Sequence, residues 1–131
     1  MRILTLFLIC ALTQSASAKT EFQVFLSFSM PNSLFEETVR DAALHGIPVI
    51  LNGLVNDSMR ETAVKIFELS KKIPDLTMQI DPTAFERYGI TQVPAFVADN
   101  QKTFDVVFGN VTIERAMDEV TRFGDTTKAG S

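Results

Sequence analysis

The sequence predicts one α/β domain: a mixed β-sheet with helices on both faces. Three observations carry this. Short apolar segments alternate with amphipathic ones in the order strand, helix, strand, helix, strand, helix, hairpin, helix, an order that requires crossover connections. The first strand, 22–28, sets Phe22, Val24, Leu26 and Phe28 on one face and Phe25 between Gln23 and Ser27 on the other. Bulk on both faces belongs to a central strand rather than an edge. The chain has 131 residues, is 46% hydrophobic and carries 11 Phe, which is enough for one core.

Residues 1–18 read as an export signal. Arg2 is followed by an apolar run over 3–12 and then Thr-Gln-Ser-Ala-Ser-Ala, ending in the small-x-small pattern of Ala16 and Ala18. This ten-residue, almost wholly apolar run makes about 15 Å of helix, too short for a hydrocarbon core of about 30 Å. Cleavage is expected before Lys19, leaving no segment to insert in a membrane. Cys10, the only cysteine, leaves with the signal, so the exported chain has no thiol. Losing Arg2 leaves 11 of the 12 basic residues against 16 acidic ones, a charge of −5. That balance lacks the basic footprint of a nucleic-acid binder. One His and one Cys exclude a disulfide scaffold and a Cys-rich zinc site, and no cofactor motif is present.

The elements follow in order. Pro31 ends the first strand, and Ser33 with Glu36 reads as a capping box opening a helix. Its inward face is Leu34, Val39, Ala42 and Ala43, and His45-Gly46 closes it with Gly at C′. A strand over 47–51 and a loop over 52–57 follow. Ser58 with Glu61 caps a second helix reaching Lys72, whose inward stripe is expected at Met59, Ala63, Ile66, Phe67 and Ser70. A third strand covers 76–80. Asp81 is the N-cap and Pro82 the first residue of a short helix closed by Tyr88-Gly89. Pro94 opens a hairpin of 95–98 and 103–108 around a turn at 99–102. Thr112 caps a last helix to Phe123, with Ile113, Met117 and Val120 inward. The domain is expected over 19–124, with a frayed tail over 125–131.

The most informative segment is Tyr88-Gly89-Ile90-Thr91-Gln92-Val93-Pro94-Ala95-Phe96-Val97. A short helix, a Gly, an apolar-Pro pair and a strand resemble the cis-proline loop of the thioredoxin fold. A cis Val93–Pro94 bond would turn the Val93 backbone outward, where it can pair with an extended peptide. In thioredoxin-like proteins the first strand-to-helix junction carries Cys-x-x-Cys. Here it is Ser29-Met30-Pro31-Asn32, with the proline in place and both sulfurs missing. Thiol exchange needs a thiolate at the helix start, so disulfide chemistry is excluded. His45 lies at the far end of that helix, where it serves as a donor to the last carbonyls.

Taken together, Phe28-Ser29-Met30-Pro31, Gly46-Ile47-Pro48, Gly53-Leu54-Val55-Asn56, Gln79-Ile80-Asp81-Pro82, Tyr88-Gly89-Ile90, Val93-Pro94-Ala95 and Gly109-Asn110 resemble the TrbC family of type-F conjugative pilus assembly proteins. The resemblance runs from Val24 to Gly124. It implies a thioredoxin-like α/β fold in which the helix over 58–72 is an insertion, and a periplasmic location. It also implies a part in assembling an F-type conjugative pilus and its type IV secretion channel, with TraW-type proteins as partners. No catalytic residue, cofactor or metal is expected. The partner site is expected at Ser29, Met30, Pro31, Tyr88, Val93, Pro94 and Phe96, joined in one exposed apolar groove. The rival reading is a periplasmic peptide-binding chaperone or folding enzyme descended from a disulfide isomerase. Mass spectrometry of the exported protein should find Lys19 at its N-terminus; an intact Met1 in the membrane fraction would overturn the export signal.

Overall fold

The structure, a computed structural model, describes residues 19–126. The export signal therefore lies outside the described residues. Strands β1 (Glu21–Leu26), β2 (Val49–Leu51), β3 (Met78–Ile80), β4 (Ala95–Asp99) and β5 (Phe104–Phe108) form one sheet in the order β3-β2-β1-β4-β5. β1, β2 and β3 run parallel, while β4 is antiparallel to both β1 and β5. β1 is central, as its two-faced pattern requires.

Helices α1 (Asn32–Leu44) and α2 (Met59–Lys72) connect the three parallel strands. The chain steps the same way across the sheet twice, so right-handed crossovers put both helices on one face. Phe35, Val39 and Ala42 of α1 and Leu69 of α2 accordingly pack with Val24, Leu26, Val49 and Leu51. Helix α4 (Ile113–Phe123) joins them through Ile113, Ala116 and Val120. The opposite face is covered by α3 (Pro82–Arg87), whose Ala84 and Phe85 meet Phe25, Ile50 and Val97.

Several boundaries differ from the sequence expectation for identifiable reasons. β1 stops at Leu26, because Ser27 and Phe28 enter a turn in which the Met30 N–H donates to the Ser27 carbonyl at 3.2 Å. No Ser33 capping box forms. Pro31 holds the N-cap position at φ −54° without a side-chain cap, its carbonyl accepts from Phe35 N at 3.0 Å, and α1 starts at Asn32. A proline whose φ is preset for the helix makes the entry two residues earlier. At α2 only half the box forms: Ser58 Oγ accepts from Glu61 N at 3.1 Å, while the Glu61 carboxylate accepts from Asn56 Nδ2 at 2.8 Å instead. The inward stripe of α2 is rotated one position from expectation. Thr62 and Leu69 are buried, whereas Met59 and Phe67 are 65% and 59% exposed.

The other caps match the sequence. Asp81 Oδ1 accepts from Ala84 N at 3.2 Å, Thr112 Oγ1 accepts from Arg115 N at 3.2 Å, and Gly46 and Gly89 close α1 and α3 at φ 66° and 63°. The His45 ring lies 2.8 Å from the Asp41 carbonyl through Nδ1, at the last turn of α1. Of the tail expected over 125–131, the first two residues are held and 127–131 lie outside the described residues. The Asp105 carboxylate accepts from Asp125 N and Thr126 N and from the Thr126 hydroxyl, and Thr126 is buried.

Tyr88 extends the α3-side core. Its ring meets Phe25 and Phe104 edge-on, and its hydroxyl donates to Asp99 Oδ2 at 2.5 Å. Burial first, and then the Asp99 carboxylate, holds the phenol above its ordinary value of 10.0. Tyr88 is the only tyrosine and there is no tryptophan, so its titration can be read directly by ultraviolet absorbance. The folded protein should form tyrosinate only above the ordinary range, and Asp99→Asn should bring the titration down. A phenol raised in the fold contributes stability fully present below its unfolded value of about 10 and lost as pH climbs through the folded value. An ordinary titration curve in the folded protein would contradict this environment.

Candidate functional site

β1 and β2 end side by side, with Leu26 paired to Leu51. Loops leaving the carboxyl ends of neighbouring parallel strands form a crevice between them. The loop after β1 runs into α1, and the loop after β2 runs through a 3-10 turn, Val55–Asp57, into α2. β4 starts at the same end, because Ala95 pairs with Phe25. The end of β1 therefore has two flanks, with Val93-Pro94 on one side and the β2 loop on the other.

At the junction itself, Ser29 N donates to Ser27 Oγ at 3.2 Å, and the two serine hydroxyls are 2.8 Å apart. Ser29 is exposed just before α1, and Asn32 is the first residue of the helix. The Val93–Pro94 peptide is cis, as the sequence predicts. The Pro94 carbonyl accepts from Gly109 N at 3.0 Å, while no described residue engages the backbone N–H or carbonyl of Val93.

The seven residues expected to share an exposed groove do not all reach it. Ser29 and Pro31 are exposed, and Val93 and Pro94 are half-buried. Met30 and Phe96 sit beneath them in the α1-side core, with Phe96 stacked 5.6 Å from Phe22. Tyr88 belongs to the other face of the sheet. The reason is strand geometry: α3 packs across the sheet from α1, and Phe96 alternates with Ala95 and Val97 toward the α1 side. What remains nearer the surface is the half-buried Val93-Pro94 segment and exposed Ser29 and Pro31, at the same end of the sheet.

On the second flank lies a cleft of about 330 Å³ that sequence reasoning missed. It is lined by Ser27, Phe28 and Ser29 from the β1 loop, by residues 52–56 from the β2 loop, and by Lys65 of α2. Two of the segments that carried the family resemblance, Phe28-Ser29-Met30-Pro31 and Gly53-Leu54-Val55-Asn56, thus meet in space. That meeting is the signal in the sequence, since both segments directly follow strands expected to be parallel. The β2 loop is held by buried Thr62, whose Oγ1 accepts from Val55 N at 2.8 Å and donates to the Ser58 carbonyl at 2.7 Å. Asn56 and Asp57 adopt left-handed φ of 48° and 52°, a conformation short polar side chains tolerate. Lys65 Nζ lies over the Phe28 and Phe35 rings, 5.1 and 5.8 Å from their centroids. Among the described residues no three His, Cys, Asp or Glu side chains converge as metal ligands, and no helix is long and apolar enough to cross a membrane.

The family described as type-F conjugative transfer system pilin assembly protein matches residues 24–127, from β1 to just past the clamped Thr126. The chain belongs to that family. It is 36% identical over 101 residues to the periplasmic protein TrbC of Escherichia coli (strain K12), a match covering 77% of this chain and 48% of that protein. The chain thus spans about half the length of the curated relative it matches. Among solved structures it is similar to DsbF of MTB (TM-score 0.52, 22% identity, covering 79% of this chain and 80% of that one). It is similar also to StoA from Bacillus subtilis (TM-score 0.53, 14% identity, covering 79% and 84%). A third is the pneumococcal exposed lipoprotein thioredoxin Etrx1 from Streptococcus pneumoniae (TM-score 0.52, 14% identity, covering 79% and 86%). At these identities the likeness establishes the fold, which is thioredoxin-like, as the cis-proline segment and strand order imply.

Thr62 tests how the β2 loop is built. Thr62→Val keeps the volume but leaves the Val55 N–H without its acceptor, at a cost of about 1–3 kcal/mol. Urea denaturation should show that loss, and amide exchange should accelerate most at Val55. Unchanged protection at Val55 would show that Thr62 does not hold the loop.

Proposed function

We propose that this chain is a periplasmic, redox-inactive assembly factor of a type-F conjugative pilus and its type IV secretion channel, and that it works by holding a segment of another transfer protein. The observation that carries the reading is the composition of the junction. Ser29 and Asn32 occupy the two ends of the Cys-x-x-Cys spacing at the start of α1, next to the cis-proline loop. A Ser hydroxyl is not ionised near neutral pH, and a disulfide exchanger needs a thiolate there. The export signal and the name of the Escherichia coli relative support a periplasmic location.

The holding role rests on Val93. Its unengaged N–H and carbonyl, at the sheet end from which Ser29 and Pro31 also leave, offer a short edge on which an extended segment can add as a strand. A TraW-type protein of the same transfer system is the proposed owner of that segment. Backbone pairing is indifferent to the lost sulfurs, so recognition survives where chemistry does not.

A photo-crosslinking side chain placed at position 93 in conjugating donor cells should capture one periplasmic transfer protein. Capture of a broad range of unrelated periplasmic proteins would favour a general chaperone instead. The purified protein should reduce insulin no faster than buffer. In Ser29→Cys/Asn32→Cys, the first thiol should titrate below the free value of about 8.5, because it sits at a helix N-terminus. Insulin reduction by the unaltered protein would overturn the redox-inactive assignment.

A further inference from the structure

The cleft on the second flank of β1 has a different chemistry from the Val93 edge, and it does not depend on the assembly role. We infer that it receives a carboxylate carried on an extended polypeptide, with the Lys65 ammonium as counter-charge and the Asn52 and Ser29 side chains as hydrogen-bond partners.

Lys65 follows Glu61 by four residues and precedes Glu68 by three, the spacings at which a helix pairs Lys with Glu. It forms an ion pair with neither, nor with any other described carboxylate. Glu61 is drawn away by Asn56 Nδ2, and Lys65 Nζ rests instead over Phe28 and Phe35. A ring face orients an ammonium but leaves its charge uncompensated. The Asn52 amide likewise has no hydrogen-bond partner among the described residues and lines the same cleft. None of the nine lining residues is Asp or Glu, in a chain that carries 16 of them. The lining of the cleft therefore carries one positive charge and no negative one, with the Glu61 carboxylate held outside it by Asn56.

The size and donor set narrow the ligand. At about 330 Å³ the cleft takes a few residues of chain rather than a folded surface. One ammonium with neutral amide and hydroxyl partners balances a single negative charge. A phosphate dianion would be left half-compensated. Half-buried Phe28 and Leu54 give the stem of the ligand an apolar wall. A chain-terminal carboxylate and an acidic side chain share this chemistry.

Three probes separate them: acetylated tetra-alanine with a free carboxyl end, the same peptide as its C-terminal amide, and that amide with Asp at its third position. Each is titrated into isotope-labelled full chain purified from the periplasm and followed by NMR. The charged peptides should shift the Ser29, Asn52 and Lys65 signals saturably, and the neutral amide should not. Response to the free carboxyl alone assigns chain-end capture, response to Asp alone assigns an acidic side chain, and response to both assigns the shared group. Lys65→Gln should weaken binding roughly tenfold or more, as loss of a charge-assisted contact requires. Lys65→Arg should retain binding, and Lys71→Gln, whose Nζ lies over Phe67 outside the cleft, should leave it unchanged. Added salt should weaken binding in the unaltered protein, a readout that stands even if Lys65→Gln misfolds. Equal binding of the neutral amide, salt-independent binding, wild-type affinity in folded Lys65→Gln, or no saturable shift at the cleft would each overturn the inference.

Discussion

Everything in this domain leans on a central strand that is apolar on both faces. Val24 and Leu26 point to the helices of one side and Phe25 to the other, and none of the three is more than 3% exposed. Phe25 meets Phe85 at 4.9 Å and Tyr88 at 5.7 Å, both edge-on. Truncating one buried Phe of this kind costs about 3–5 kcal/mol. A whole domain has only about 5–15 kcal/mol of net stability. β1 also supplies the hydrogen-bonding partner for both β2 and β4. The two flanks of its C-terminal end are thus fixed by a fully buried stretch of strand, where a binding edge gains from rigidity.

Two carboxylates then fasten distant parts of the chain to that core. Asp41, in the last turn of α1, accepts from Ile113 N at 2.8 Å and so caps the start of α4 from another helix. Asp105 of β5 gathers the chain after α4 through Asp125 and Thr126, and the Thr126 carbonyl accepts from Asn100 Nδ2 at 3.3 Å. The second clamp explains Gly124. A β-carbon there would stand 2.5 Å from both Asp105 Oδ2 and the Val120 carbonyl, closer than any side chain can sit. Some of the acidic excess in this sequence is therefore spent on internal backbone donors rather than displayed.

Local chemistry was legible in the sequence wherever one residue type decides the backbone. Asp81-Pro82, Thr112 and the glycines at 46 and 89 sit at the helix ends they announce. The mixed sheet and the central place of its first strand followed from the alternation of elements and from Phe25. What could not be read was phase and side. Of the expected stripe Ile66 does pack on the core, but Met59, Ala63 and Phe67 make as regular a row as Thr62 and Leu69, and hydrophobicity prefers the exposed one. The structure buries Thr62 and Leu69, and the Thr62 hydroxyl satisfies the Val55 N–H, a tertiary demand invisible in helical periodicity. The Tyr88 assignment failed the same way. Closeness to Pro94 in sequence does not say which face of the sheet a helix will cover.

The separation of the two flanks has a consequence for how such a site can change. The Val93 edge would recognise a partner through backbone groups, so the residues at 29 and 32 can vary without altering its hydrogen-bonding pattern. The cleft is the reverse case: its character comes from side chains, from Asn56 turning Glu61 away and from two Phe rings holding Lys65. A substitution there changes charge and shape while the strands beneath stay in place. A fold that joins a backbone-defined edge to a side-chain-defined cleft at one strand end can therefore keep a common docking geometry while its selectivity shifts. A serine rather than a thiol at position 29 leaves the hydrogen-bonding pattern of the Val93 edge unaltered and gives the cleft a hydroxyl among its lining groups.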